Sequence, residues 1–130
     1  MGAALTTGRT CTGPTGTGSS IEVAATDYPQ LAWTPVIESL SFRLRSDADD
    51  VAFLLADKRL QADFAYRQRG LVRRTTARGE DGDWLVLTLW DGPASADTGD
   101  PMRSEDDACR EFRSHIDPDS VSVRRFHELD

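Results

Sequence analysis

DGDWLVLTLW, residues 81–90, is predicted to form a β-strand, and it is apolar on both faces. Alternation along a strand separates three leucines from three other large side chains: Leu85, Leu87 and Leu89 against Trp84, Val86 and Trp90. A strand of a small antiparallel sheet usually has one face on the core and the other in water. We therefore expect that something besides the protein's own helices covers one of these two faces.

The segments around this strand predict two helices and three further strands. Val36 begins an alternating strand, VIESLSFRLR, in which Glu38 is a charged residue on the apolar side. A long helix is predicted from about Asp49 to Arg69 with Gly70 as its end, and a second helix opens at SEDD, residues 104–107. LVRRTTAR and SVSVRRF are predicted as the second and fourth strands, and residues 91–103 as a loop.

The resulting order, βαββαβ, is the ferredoxin-like arrangement of an α+β protein. It implies an antiparallel sheet with both helices on one face and the first and third strands in the centre. The first helix carries an apolar stripe with two flanking residues: Phe53, Ala56, Leu60 and Phe64, with Val51 and Leu55. We expect the helices to cover the leucine face of the third strand and to leave the tryptophan face open.

An open face with two tryptophans is a large apolar exposure for a soluble monomer. Burying each such side chain contributes roughly 1.5–3 kcal/mol or more, so the sequence predicts a cover. A second copy, the segment 21–34 and a ligand are the alternatives. The second copy is favoured, which predicts a homodimer through the sheet faces.

The chain is predicted to contain one domain, residues 35–130, after two other segments. Residues 1–20 are rich in Thr and Gly and predict a disordered tail, and residues 21–34 predict an extended arm. The net charge of −7 argues against a nucleic-acid partner, and the apolar runs are too short to span a membrane. Two cysteines, Cys11 and Cys109, do not make a disulfide framework, so a cytoplasmic location is expected.

The stretch GLVRRTTARGEDGDWLVLTLWDGPASA resembles the dimeric α+β barrel superfamily, in particular antibiotic-biosynthesis-monooxygenase-like domains. The matching features are these: Gly70, Arg73 and Arg74, Asp81-Gly82, Trp90, and a helix from Ser104. The resemblance covers about residues 35–128. It implies two ferredoxin-like subunits whose sheets pair into a barrel, with a pocket between sheet and helices in each. The class includes cofactor-free oxygenases of polyketide aromatics, haem-degrading enzymes and stress-induced proteins.

Four residues are candidates for such a pocket. Trp90 is either a packing residue or a wall that stacks a flat substrate. His115 is either a helix cap or a general base, because imidazole titrates near neutral pH. One arginine of each neighbouring pair must face inward, and Arg74 is predicted to bind a carboxylate or phenolate oxygen of the substrate. Tyr66 offers a phenol as a hydrogen-bond donor.

Three functional hypotheses follow. The first is a cofactor-independent monooxygenase-like enzyme acting on an aromatic or polyketide-type substrate, with neither cofactor nor metal. The second is a non-catalytic stress-associated or ligand-binding dimer. The third is a haem-binding or haem-degrading protein that uses His115, although the strand-one Asn and the helix Trp of that group are missing. The second histidine, His127, is predicted to be a surface residue.

Overall fold

In the part of the chain that the structure describes, four strands form one antiparallel sheet with the order β2-β3-β1-β4: β1 (Val36–Arg43), β2 (Leu71–Arg78), β3 (Asp83–Trp90) and β4 (Ser122–His127). Within residues 34–129, three α-helices accompany it: α1 (Asp50–Asp63), α2 (Pro93–Thr98) and α3 (Asp107–Ser114). This computed structural model describes residues 34–129, so the predictions for residues 1–33 lie outside the described residues. The ferredoxin-like order and the central position of β1 and β3 are confirmed.

The two faces of β3 are reversed from the expectation. Its two tryptophans and Val86 are buried against the helices, whereas Leu87 is 40% exposed on the other face and the two remaining leucines are half-buried. The register with β1 gives the reason: Trp84 pairs with Phe42, Val86 with Leu40, and Trp90 with Val36. Paired residues share a face, so the apolar side of β1 takes the tryptophan side of β3 with it.

Helix α1 begins as predicted and ends early. Asp49 is its N-cap and accepts a hydrogen bond from the backbone N–H of Ala52. The chain leaves helical geometry at Phe64 and makes a short 3-10 turn over Ala65–Arg67, so the predicted end near Arg69 was wrong. Gly70 then adopts a positive φ of 89°, which an L side chain rarely takes.

The apolar stripe of α1 packs on the sheet as expected, and all four of its residues are buried: Phe53, Ala56, Leu60 and Phe64. The two flanking residues do not join it, because Val51 and Leu55 are each 64% exposed. Cys109 of α3 is buried in the same core, as predicted, and burial raises the pKa of its thiol. No helix within residues 34–129 has the length and apolarity that crossing a bilayer requires.

Helix α2 lies in the segment that was predicted to be a loop. Pro93 stands in its first turn, where the fixed φ of proline suits a helix. Ala96 is fully buried and packs in a small cluster with Val36 and Trp90. Gly99 ends the helix against the indole ring, so close that a Cβ there would lie 2.2 Å from Cη2 of Trp90.

We expect Gly99→Ala to destabilise the protein by about 1–3 kcal/mol, because the added methyl group overpacks the indole of Trp90. The matched control is Gly92→Ser at the other end of α2, where an added Cβ meets no atom within 4 Å. Serine is also favoured at an N-cap. Urea unfolding of both variants measures the difference in their free energies of unfolding. Equal midpoints would show that the close contact between Gly99 and Trp90 does not limit what residue the position accepts.

Candidate functional site

The helix-facing side of the sheet carries two clusters of buried apolar residues, and the partly buried Leu71 packs against both of them. The larger cluster lies under α1 and α3 and includes Phe42, Phe53, Trp84 and Phe112. The smaller one lies under α2 and consists of Val36, Trp90 and Ala96. The strand register shows what separates them.

Four polar residues, one from each strand, lie in line across the sheet between the two clusters. Arg74 of β2 pairs with Thr88 of β3, Thr88 pairs with Glu38 of β1, and Glu38 pairs with Arg125 of β4. We call this line the polar row. Its members share the face that carries Trp90, which places charged groups directly beneath the helices.

The β2 end of the polar row is closed. The Nη2 of Arg74 donates to Oδ1 of Asp57 on α1 at 2.8 Å, and the two side chains are only 2% and 4% exposed. Thr76 and Gln61 donate to the other oxygen of Asp57, at 2.9 and 3.0 Å. The guanidinium also lies over the ring of Phe112, 5.6 Å from its centroid. These partners compensate the cost of burying both charges.

The β4 end of the polar row opens to solvent. Nε1 of Trp90 donates to Oε1 of Glu38 at 3.2 Å. Arg125 donates to Oε2 of Glu38 through Nε at 3.2 Å and Nη2 at 2.9 Å, and to Oδ1 of Asp97 through Nη1 at 2.8 Å. The side-chain exposure rises from 16% at Glu38 to 34% at Arg125 and 61% at Asp97.

Beyond this end, the helix-facing side of β4 has little cover from the described helices. Val123 is 57% exposed although its partner across β1, Leu40, is 8% exposed. We call the three residues on this side of β4 the β4 strip: Val123, Arg125 and His127. The β4 strip and the open end of the polar row together form an accessible surface. This surface offers the guanidinium of Arg125, the apolar side chain of Val123 and the imidazole of His127.

The electrostatics of the β4 strip favour a charged arginine beside a neutral histidine. Burial alone lowers the pKa of Arg125, but its hydrogen bonds to Glu38 and Asp97 outweigh that effect and raise the pKa. Partial removal from water, and then the positive charge of Arg125, lower the pKa of His127. Its Nδ1 lies 3.3 Å from Oγ1 of Thr34. Residues 34–129 contain no group of three or more His, Cys, Asp or Glu side chains that could hold a metal ion.

Three of the four predicted site residues contact the polar row, two at its β2 end and Trp90 towards its β4 end. Arg74 is a member, Trp90 donates to Glu38, and the hydroxyl of Tyr66 lies 3.4 Å from the carbonyl oxygen of Arg74. His115 lies elsewhere: it ends α3, and its carbonyl oxygen accepts from the N–H of Arg45 beyond the far end of β1. Its ring centroid is 6.1 Å from that of Phe53. The ligand-binding and catalytic roles of the four stay predictions.

The sequence contained signals for the residues that the prediction missed. Glu38 broke the apolar side of β1, and a charge in that position must be paired when it is buried. Arg125 is the inward member of its pair, as Arg74 is of the other. Asp57 follows Phe53 by four residues and precedes Leu60 by three, so it lies on the buried stripe of α1. His127 was correctly predicted to be exposed, but its place beside Arg125 depends on the register of β4.

We expect Asp57→Ala to destabilise the protein by about 3–5 kcal/mol, because it leaves the guanidinium of Arg74 buried without its counter-ion. Asp63→Ala is the control, since Asp63 pairs with Arg59 in a pair whose side chains are about half exposed, at 47% and 51%. Such exposed pairs contribute about 0–1 kcal/mol. Thermal unfolding followed by circular dichroism compares them, and similar losses would contradict the buried role of Asp57.

Of the comparisons with known proteins, the one with solved structures identifies the fold. No protein-family model matches the sequence, and no curated protein is significantly similar to it. Among solved structures, SnoaB, a cofactor-independent oxygenase from Streptomyces nogalater, has a TM-score of 0.60 and 17% identity over 75% of this chain and 95% of its own.

Two further solved structures give the same result. A proposed antibiotic biosynthesis monooxygenase from Nitrosomonas europaea has a TM-score of 0.59 and 12% identity, over 74% of this chain and 91% of its own. Rv0793 from Mycobacterium tuberculosis has a TM-score of 0.56 and 18% identity, over 75% of this chain and 97% of its own. The described residues therefore share the fold of these structures, a ferredoxin-like α+β domain.

Proposed function

We propose that this protein binds a flat, oxygen-bearing aromatic molecule at the β4 strip and acts on it as a cofactor-independent monooxygenase-like enzyme. The observation that carries the proposal is the open end of the polar row, where Arg125 reaches solvent beside the shielded Glu38 and Trp90. A carboxylate or phenolate oxygen suits the guanidinium of Arg125. The fold shared with SnoaB, a cofactor-independent oxygenase, supports the choice of reaction.

A base that works near neutral pH completes such a site, because the reaction needs a proton to leave the aromatic substrate. His127 is the better placed of the two histidines, since it lies on the β4 strip two residues from Arg125, and its lowered pKa leaves the ring neutral at neutral pH. His115, the candidate chosen from the sequence, lies at the end of α3. We propose His127 as the base and keep His115 as the alternative.

Aerobic turnover of anthrone, followed by oxygen consumption, tests this function. We expect His127→Ala to lower kcat/KM by about 100-fold or more, the usual contribution of a general base, and His115→Ala to leave it nearly unchanged. The reverse pattern would return the role of base to His115. Tight binding of anthrone without oxygen consumption would contradict the enzyme and favour the non-catalytic ligand-binding alternative.

We also propose a homodimer that forms through the face of the sheet opposite the helices. This face carries an apolar centre: Leu85, Leu87 and Leu89 of β3, with Ile37 of β1 and Phe126 of β4. Leu87 and Phe126 remain 40% and 42% exposed. A second copy is the natural cover, because a two-fold axis pairs one apolar sheet face with the same face of the partner. The dimer proposal thus moves from the tryptophan face to the leucine face.

Leu87→Arg is expected to convert the dimer to a monomer, because it places a charge in the centre of the proposed interface. Leu54→Arg is the matched control, since Leu54 is 44% exposed on α1, on the other side of the sheet. Light scattering coupled to size exclusion gives both masses. A monomeric wild type at micromolar concentration would refute the interface outright.

A further inference from the structure

We propose that an anionic oxygen of the ligand takes the place of Asp97 on Arg125, so that ligand binding releases α2 and uncovers Trp90. The inference rests on the proposed function, because it uses the same site, and it narrows the ligand class to planar aromatic carboxylates and phenolates. In this proposal Asp97 determines the preference of the site for anionic over neutral ligands.

The two carboxylate partners of Arg125 are held very differently. Glu38 accepts from Nε and Nη2, at 3.2 and 2.9 Å, and its other oxygen is fixed by the indole N–H of Trp90 at 3.2 Å. Asp97 accepts from Nη1 alone, at 2.8 Å, and its side chain is 61% exposed. Two hydrogen bonds to a shielded carboxylate are stronger than one hydrogen bond to an exposed carboxylate. Asp97 is therefore the partner that a ligand oxygen displaces.

Helix α2 is built so that one of its ends can lift. Its N-terminal half is tied down, because Ser95 donates to Asp91 at 2.6 Å and packs against Gly70. The rest of α2 is held by Ala96 and Gly99 against Trp90, and by Asp97 on Arg125. This small cluster meets the main core through the partly buried Leu71, which packs against both. A small cluster opens at lower cost than the whole domain does.

Lifting this end of α2 produces a site for a flat ring next to a site for an anion. Gly99 lies against the outer atoms of the six-membered ring of Trp90, so its withdrawal uncovers that part of the indole for contact with an aromatic ligand. Glu38 keeps its hold on the indole N–H and on two nitrogens of Arg125. The nitrogen that Asp97 vacates, Nη1, points its donor at the incoming oxyanion.

The first test measures the affinity of the full chain for 2-naphthoate and for its neutral analogue 2-naphthamide by isothermal titration calorimetry. We expect Asp97→Asn to tighten naphthoate binding about twofold to fivefold, the range that an exposed ion pair spans. We expect naphthamide to tighten less, because the neutral amide gains from the freer α2 but not from the vacated donor of Arg125. Asp107→Asn is the control: it makes the same change in net charge and also disrupts an exposed pair, that with Arg110 at 2.7 Å. Arg125→Gln is expected to abolish the preference for naphthoate.

The second test follows hydrogen exchange at the amides of Ala96 and Gly99, which donate within α2 to Gly92 and Ser95. We expect both amides to exchange faster in Asp97→Asn, and also in the wild type saturated with naphthoate, and to be unchanged in Asp107→Asn. Ligands usually protect the amides that they cover, so faster exchange is a distinctive result.

The outcomes separate this inference from the proposed function. If naphthoate and naphthamide both bind while Asp97→Asn changes neither affinity nor exchange, the displacement of Asp97 is wrong and the site stands. If naphthoate binds and protects the amides of α2, the helix does not lift and the inference fails. If neither probe binds the wild type, the proposed site itself is wrong.

Discussion

The structure depends on one charged residue in an apolar strand. Glu38 lies on the helix-facing side of a central strand, where its side chain is only 16% exposed and its carboxylate needs partners. The indole N–H of Trp90 and the guanidinium of Arg125 supply them, and both come from residues that the register of the sheet brings alongside. The carboxylate and its partners lie between the main core and the small cluster under α2, and the partly buried Leu71 connects the two.

The two ends of the polar row differ in burial, and this difference suits them to different tasks. At the closed end, Asp57 and Arg74 satisfy each other with help from Thr76 and Gln61. Breaking such a pair is costly, so this end fixes the position of α1 on the sheet. At the open end, Arg125 shares its donors between a shielded and an exposed carboxylate. Replacing an exposed ion pair by a contact with a ligand costs little free energy. A binding site needs this property, whereas a core does not.

Much of the fold could be predicted from the sequence because its patterns are local. The alternation in β1, the stripe of α1 and the order of the elements gave the antiparallel sheet with β1 and β3 in its centre. The faces of β3 could not be assigned in this way, because a period of two separates two sides without saying which meets the helices. Pairing with β1 decides that, through contacts such as Trp90 with Val36.

The candidate site was less predictable because its parts come from distant segments. Arg74 and Trp90 were found as residue types that suit a pocket, but their partners Asp57 and Glu38 were recognisable only as charges on apolar stripes. Helix α2 was missed because Gly and Pro, which usually mark loops, here begin and end a short helix. Its stability comes from the indole beneath it, a tertiary contact that overrides local propensity.

Strand β4 connects the proposed ligand site with the proposed dimer. Its neighbouring arginines face opposite sides: Arg124 lies over the ring of Phe126 at 4.9 Å on the open face, and Arg125 meets Glu38 on the helix side. β4 is an edge strand, and all of its residues are exposed in the single chain. A partner that covers Phe126 would hold the strand in place and with it the guanidinium of Arg125. Assembly and ligand recognition would then act on opposite faces of the same six residues.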